Sequence, residues 1–280
     1  MRRRRSWAGT ALLVALGLAA SCGSDGDGVV RTTTLPTVEA TFSHPPGTSA
    51  ATVAKLVAVL RARLDSLDLG DFEVRPTDGN TIRVRITPAQ PIDLDATFGL
   101  VGRPGVLLFR PVLARVRANP GASLGTGTPG GLQITEPADD DPARAAVLAA
   151  PDTEEDPALL QLGPAELTGS IIERANATLT GDGRWAVALV IRAGTGIGDF
   201  NRVAASCSPP GPVCPTGQLA IVLDTVVASA PTIQAAHFER NDIQISGTFS
   251  EDEAKELALV LRYGSLPSSL TLESVQRIEP

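Results

Sequence analysis

Histidine, tryptophan, tyrosine and methionine are all scarce in this chain: it has two histidines, two tryptophans, one tyrosine and one methionine in 280 residues. The scarcity of histidine narrows the chemistry first. Nucleophilic catalysis needs a base beside the nucleophile. His44, before a double proline, and His237, after a strand-like run, stand in unrelated settings and are read as surface residues. A structural zinc site needs four good ligands, and three cysteines with two scattered histidines do not supply one by spacing. No enzyme, metal site or cofactor is expected. With aromatics at 4%, Val, Leu, Ile and Ala must fill the core, and a hydrophobic share of 43% is enough to form one. After residue 20 there is no apolar run of the roughly 20 residues that cross a bilayer. Excess positive charge is also missing, with 24 basic residues against 31 acidic, so nucleic acid is not an expected partner.

What is present begins with an export signal. Arg2 to Arg5 form a basic start, Trp7 to Ala20 an apolar stretch, and small residues lead to Cys22. "LAASC" resembles a bacterial lipoprotein signal, with Ala19 in place of the commonest leucine and Leu18 one place earlier. The resemblance implies removal of residues 1–21, lipid on Cys22, and a tether over 22–36 at the extracytoplasmic face of a bacterial membrane. An ordinary secretory signal with an incidental cysteine is the alternative. Loss of the four arginines takes the formal charge from −7 to −11. Cys207 and Cys214, in "CSPPGPVC", are then an even pair in an oxidising compartment, which reads as a disulfide.

The periodicities predict an α+β protein. Val38, Ala40 and Phe42 alternate as a strand, and Val53, Leu56, Val57, Leu60 and Leu64 lie on one helical face. Asp78-Gly79 is a favoured hairpin turn, with Ile82, Val84 and Ile86 facing one way and Arg83 and Arg85 the other. Pro76 suits an edge strand. "DLDATFGLVG" reads as a short helix and "GVLLFRPVL" as a further strand. The order β-α-β-β-α-β over 37–113 is the split βαβ, or ferredoxin-like, arrangement. Residues 114–163 are rich in Gly, Pro, Ala and acid, and are expected to form a mobile linker, with Asp139 to Asp141 and Glu154 to Asp156 as solvated acidic runs. A second α+β unit is expected over 164–270, with residues 271–280 as a terminal strand or tail. Its helix is the most sharply marked element: Ser250 and Glu253 make a capping box, Ala254, Leu257, Ala258 and Leu261 make one stripe, and Gly264 and Pro267 stop it.

Single motifs in this second unit carry little chemistry. "GTGIGDF" lacks the spacing and context of a dinucleotide site. The sequon at Asn176-Ala177-Thr178 has no bearing on a bacterial lipoprotein. Asp224, in "IVLDTVV", could be one carboxylate of a catalytic pair, but its place at a strand end favours a turn aspartate bonded to its own backbone.

Taken together, the motifs of the second unit resemble a known family. Ala220 to Asp224, Ser229 to Pro231, Ile245 to Phe249 (with Gly247 between them), the capped helix, and Gly264 to Pro267 are similar in order and spacing to the first periplasmic domain of SecD. SecD is the membrane subunit that assists the general protein-export channel. "LTGSIIERA", Leu167 to Ala175, resembles the opening of the same subdomain, and the arginine-rich helix and hairpin upstream resemble the family's base. The resemblance implies a base followed by a head that holds emerging polypeptide, with exported chains or channel subunits as partners. Two departures matter: Thr225 stands where the family has glycine, and the sequence ends at "VQRIEP" where the family continues into membrane helices that couple proton flow. The expected function is an accessory export factor without proton coupling of its own. A binding lipoprotein that reuses the fold elsewhere in the envelope is the alternative.

Overall fold

The structure, a computed structural model, describes residues 35–117, 132–151 and 158–278. The signal segment, Cys22, the tether up to residue 34 and the acidic run 154–156 lie outside these residues. Among the described residues four α-helices and thirteen strands make an α+β fold of two layered parts, a base and a head.

The base starts with β1 (Thr37–Ser43), α1 (Ala50–Ser66), β2 (Gly70–Thr77), β3 (Thr81–Pro88) and α2 (Leu94–Gly102). Ser49 caps α1 by accepting from the Thr52 amide, and Asp93 caps α2 in the same way through Ala96. Alternation does the rest. Val38, Ala40, Phe42, Ile82, Val84 and Ile86 are buried against Leu56, Leu60 and Leu64 of α1 and Phe98 of α2. β2 and β3 form the hairpin, with Gly79 left-handed at its turn, and β2 with Pro76 lies at the sheet edge. On the outer face Glu39 accepts from Arg85 at 2.7 Å, with Arg83 at 3.4 Å. That hydrogen bond holds the carboxyl below its ordinary range, against an opposing effect of burial.

The fourth base strand comes from elsewhere than the sequence order suggested. The base sheet runs β13-β1-β3-β2, and β13 (Thr271–Ile278) is the last strand of the chain. "GVLLFRPVL", expected to close the split βαβ, instead starts β4 (Leu107–Arg117), which leaves the base and pairs in the head. The reason is burial on both faces. Leu107 to Val112 are all buried, which a half-exposed sheet edge does not offer, whereas β13 has the mostly exposed pattern of an edge strand. The whole head is therefore inserted between α2 and β13, and residues 271–278 belong to the base rather than to a tail.

In the head, β4 joins β5 (Ala146–Ala149), β6 (Ala158–Leu162), β10 (Leu219–Leu223) and β11 (Val226–Ser229) in the order β11-β10-β4-β6-β5, with β7 (Leu167–Thr168) also on β4. A second sheet has the order β12-β9-β8, from β8 (Ile172–Leu179), β9 (Trp185–Ile191) and β12 (Ile243–Phe249). α3 (Thr195–Cys207) and α4 (Glu251–Tyr263) pack into one core with both sheets, where Phe109 and Phe200 meet edge to face at 6.2 Å. Cys207 and Cys214 are bonded in that core. Among the described residues no helix is long and apolar enough to cross a membrane.

The expected linker is thus corrected over much of its length. β5, β6 and the C-terminal part of β4 lie within 114–163, and Leu148, Leu160 and Leu162 are buried. Both strands are short, and alanine, a helix former depleted in strands, makes up half of β5, so neither carries a strand pattern of its own. The acid run 139–141 is corrected in part. Arg110, fully buried in the middle of β4, donates to Asp140 at 2.6 Å and to the carbonyls of Arg144, Gly163 and Asp141. Asp139 and Asp141 stay exposed, but the Asp140 side chain is only 5% exposed. A buried guanidinium requires such partners.

Candidate functional site

Base and head are connected by two chain crossings, 103–106 and 264–270, and both converge on polar side chains. Arg63 occupies the apolar stripe of α1, three residues after Leu60, and is fully buried. Its guanidinium donates to the carbonyls of Val101 at 2.9 Å, Arg103 at 2.5 Å and Gly264 at 2.9 Å. Burial lowers its pKa to about 10, and Asp224 partly opposes that shift. From the head side, the Asp224 carboxylate accepts from Arg103 Nε and from the amides of Gly105 and Val106. The Leu266 amide then donates to the Pro104 carbonyl at 2.8 Å, tying one crossing to the other. Gly105 is left-handed and packed so closely that a Cβ would lie 2.7 Å from Val260 and 2.9 Å from Arg63.

Asp224 therefore does not bond its own turn, contrary to the expectation from the sequence; its carboxylate reaches the first crossing. The turn is still unusual, since Asp224 and Thr225 both have positive φ, 49° and 66°. A β-branched residue is strained there. The Thr225 hydroxyl donates to Asp140 Oδ2 at 3.1 Å, the same carboxylate that receives buried Arg110. The threonine that departs from the family's glycine has a specific partner in the segment before β5.

The same turn opens onto a groove of about 590 Å³. Its walls are β11 and β12, each the edge strand of its own sheet. Leu223, Val226, Ser229, Gly247, Phe249 and Leu257 line it, and Val226 is 63% exposed. Gly247 sits where the β12–β9 register shifts, and a Cβ there would press on the Phe249 ring at 3.0 Å. Ser250 caps α4 at the groove end through the Glu253 amide, and Glu253 returns a carboxylate to the Ser250 amide. That bond keeps the Glu253 pKa low. Arg103 and Arg184 also line the groove, but each is paired, with Asp224 and with Asp182.

Of the family-motif positions, Ser229, Gly247 and Phe249 meet in this groove, and Asp224 lies at its end. Pro231 follows, its carbonyl receiving the Leu219 amide. Gly264, with φ of 74°, and Pro267 lie at the opposite end of α4, on the second crossing. Cys207 and Cys214 hold the end of α3 and are part of the core rather than of the groove. His237 is exposed, whereas His44 is 8% exposed and not the surface residue expected, because its amide bonds Asn80 at the hairpin end of the base. Arg63 and Arg110 were not singled out in the sequence, and Asp140 was read only as part of a solvated acidic run. The available signal was an arginine on an apolar helix face and another inside a wholly apolar strand.

The comparisons with known proteins agree with this geometry. Residues 145–268 match the family model of the SecDF P1 head subdomain. The protein translocase subunit SecD of Elusimicrobium minutum is 28% identical over 249 residues, 84% of this chain and 49% of the relative. The SecDF of Thermus thermophilus is 31% identical over 229 residues, 81% of this chain and 28% of the relative. The chain thus spans about half the length of one of these proteins and a smaller share of the other. A solved structure of SecDF, a membrane component that enhances protein export, aligns over 86% of this chain and all of its own, at 25% identity and a TM-score of 0.62. SecDF in its super-membrane-facing form aligns at a TM-score of 0.63 over 85% of this chain and 30% of its own. In sequence and fold the chain is similar over most of its length to the periplasmic region of SecD and SecDF, and residues 145–268 match the P1 head subdomain.

Proposed function

We propose that this chain is a SecD-like extracytoplasmic accessory factor in protein export, which binds translocating polypeptide or the translocation channel without proton coupling of its own. The observation that carries the reading is the head groove between two edge strands. An edge strand presents a row of unpaired backbone donors and acceptors, which an extended chain of any sequence can match. A factor that meets many different exported proteins needs that kind of sequence-tolerant recognition. The apolar wall of Leu223, Val226 and Phe249 adds affinity for side chains that a folded client would bury.

Lipid on Cys22 would hold this groove at the membrane. Two or more acyl chains, at about 0.8 kcal/mol per buried methylene, give stable anchoring where one does not. Tethering raises the local concentration of a weak site, so that repeated capture can hinder backsliding of an emerging chain. The role is binding, not catalysis. In the test, pulse-chase secretion of several exported proteins is followed in cells with and without the chain, and with Cys22→Ser. Slower secretion on deletion, rescued by the wild-type chain and not by a Cys22→Ser form that leaves the membrane fraction, supports the reading. Unchanged secretion, with the chain bound to cell-wall components, supports the envelope-binding alternative.

A further inference from the structure

The head groove does not end at α4. A second cleft, of about 640 Å³, lies on the other side of the exposed face of that helix. It runs from Trp185 and Ala177 of the head sheet to Leu67 after α1 and Leu100 of α2 in the base. Two features join the cleft to the groove. Glu256 lines both. Phe249, in the groove, and Trp185, in the cleft, are directly paired residues of β12 and β9.

The charges along this path are unequal in a telling way. Arg103 is paired with Asp224, Arg184 with Asp182 and Lys255 with Glu251. Arg262 is bonded to the Asn176 side chain and the Ala175 carbonyl. Every cation lining the two cavities is therefore engaged. Glu256 is half-buried, and among the described residues it has no hydrogen-bond or ion-pair partner. A carboxylate in that position is stabilised by a cation brought to it.

From this we infer that groove and cleft form one track for an extended polypeptide, which runs from the head edges to the base and sets a lysine or arginine against Glu256 between apolar side chains. The inference rests on the export reading and specifies its ligand: an extended apolar segment interrupted by a basic residue. Main-chain pairing at β11 or β12 takes the segment at one end, and Trp185, Leu100 and Leu259 receive an apolar side chain at the other. A single bound chain then touches both parts of the molecule.

Trp185 makes the track directly observable. Trp7 is the other tryptophan, so the full chain with Trp7→Phe reports from the cleft alone. The probes are a blocked heptapeptide, Ala-Leu-Val-Lys-Leu-Val-Ala, and the same peptide with norleucine for lysine. The lysine peptide is expected to shift Trp185 emission to shorter wavelength in a saturable way. Glu256→Gln should weaken it about five- to tenfold, the size of one partly exposed charge-assisted bond, and leave the norleucine peptide unchanged. Glu256→Lys should reverse the preference towards a glutamate-containing peptide. The track is overturned if saturating peptide leaves Trp185 emission unchanged, or if wild type and both variants bind the three peptides alike. Either result leaves the export reading standing if head crosslinks to precursors form in cells. Peptide binding through Glu256 with secretion unaffected by deletion would keep the track and remove the export role.

Discussion

Replacing Arg63 with methionine tests how base and head are held together. Methionine keeps most of the stem volume, so the change removes chiefly the guanidinium. Three carbonyls, of Val101, Arg103 and Gly264, then lose a donor inside the protein. At about 1 kcal/mol for each acceptor left unsatisfied, the loss is about 3 kcal/mol. Relief of guanidinium burial acts in the opposite direction, since isolated buried charge is costly. The environment is already supportive, with Asp224 raising what burial lowers, so the hydrogen bonds should prevail. With a urea dependence of about 3 kcal/mol per molar for a chain of this size, the midpoint should fall about 1 M. Hydrogen exchange gives the local readout. The Val106 and Leu266 amides, bonded to Asp224 and Pro104 across the crossings, should lose about 100-fold protection. Amides of Val84 and Val187, deep in the sheets and exchanging through global unfolding, should lose a comparable factor. A midpoint that stays or rises would refute the reasoning, because desolvation of the guanidinium would then outweigh its bonds.

Three further outcomes follow from single sites. Glu39, whose pKa is lowered from 4.5 in the fold, contributes stability that is present above that unfolded value and lost as pH falls through its folded value. In urea titrations from pH 7 to pH 3, Glu39→Gln should therefore be less stable than wild type at pH 7 and converge with it in acid; parallel curves would contradict this. Ser250→Ala removes the α4 cap and should lower stability by about 1 kcal/mol, read as a shift in thermal midpoint. Paired alanine substitution at Cys207 and Cys214 opens an eight-residue loop, for which chain entropy gives at most about 2.5 kcal/mol. The restriction that prolines impose on the unfolded loop should make the measured loss smaller.

The sequence reading was strongest where local chemistry and burial agree. The α4 capping box, the Asp78-Gly79 hairpin and the alternation in β3 each state their structure within about ten residues, and each is present. It was weakest where structure depends on distant partners. Nothing local to "GVLLFRPVL" says that it abandons the base sheet for the head, or that the strand Thr271–Ile278 replaces it. The run Asp139 to Asp141 reads as solvent until Arg110 is brought beneath it. For the same reason Asp224 looks self-contained, although its acceptors serve residues 103–106, more than a hundred positions away. The groove was legible only as an ordered set of motifs; that Ser229, Gly247 and Phe249 share one groove depends on two sheets placing their edges side by side. Glu256 had no signal of its own, since a helical glutamate usually faces water.

The claim that this molecule captures emerging polypeptide is tested most directly by photocrosslinking in living cells. A photoreactive amino acid is placed at Val226 on β11 or Gln244 on β12, exposed positions on the two strands that wall the groove, and at Arg277 in the base as a control. During a short pulse of synthesis, Val226 and Gln244 should form adducts with secretory precursors that disappear in the chase, and Arg277 should not. Adducts confined to cell-wall or unrelated envelope partners, or equal labelling from all three positions, would contradict the account.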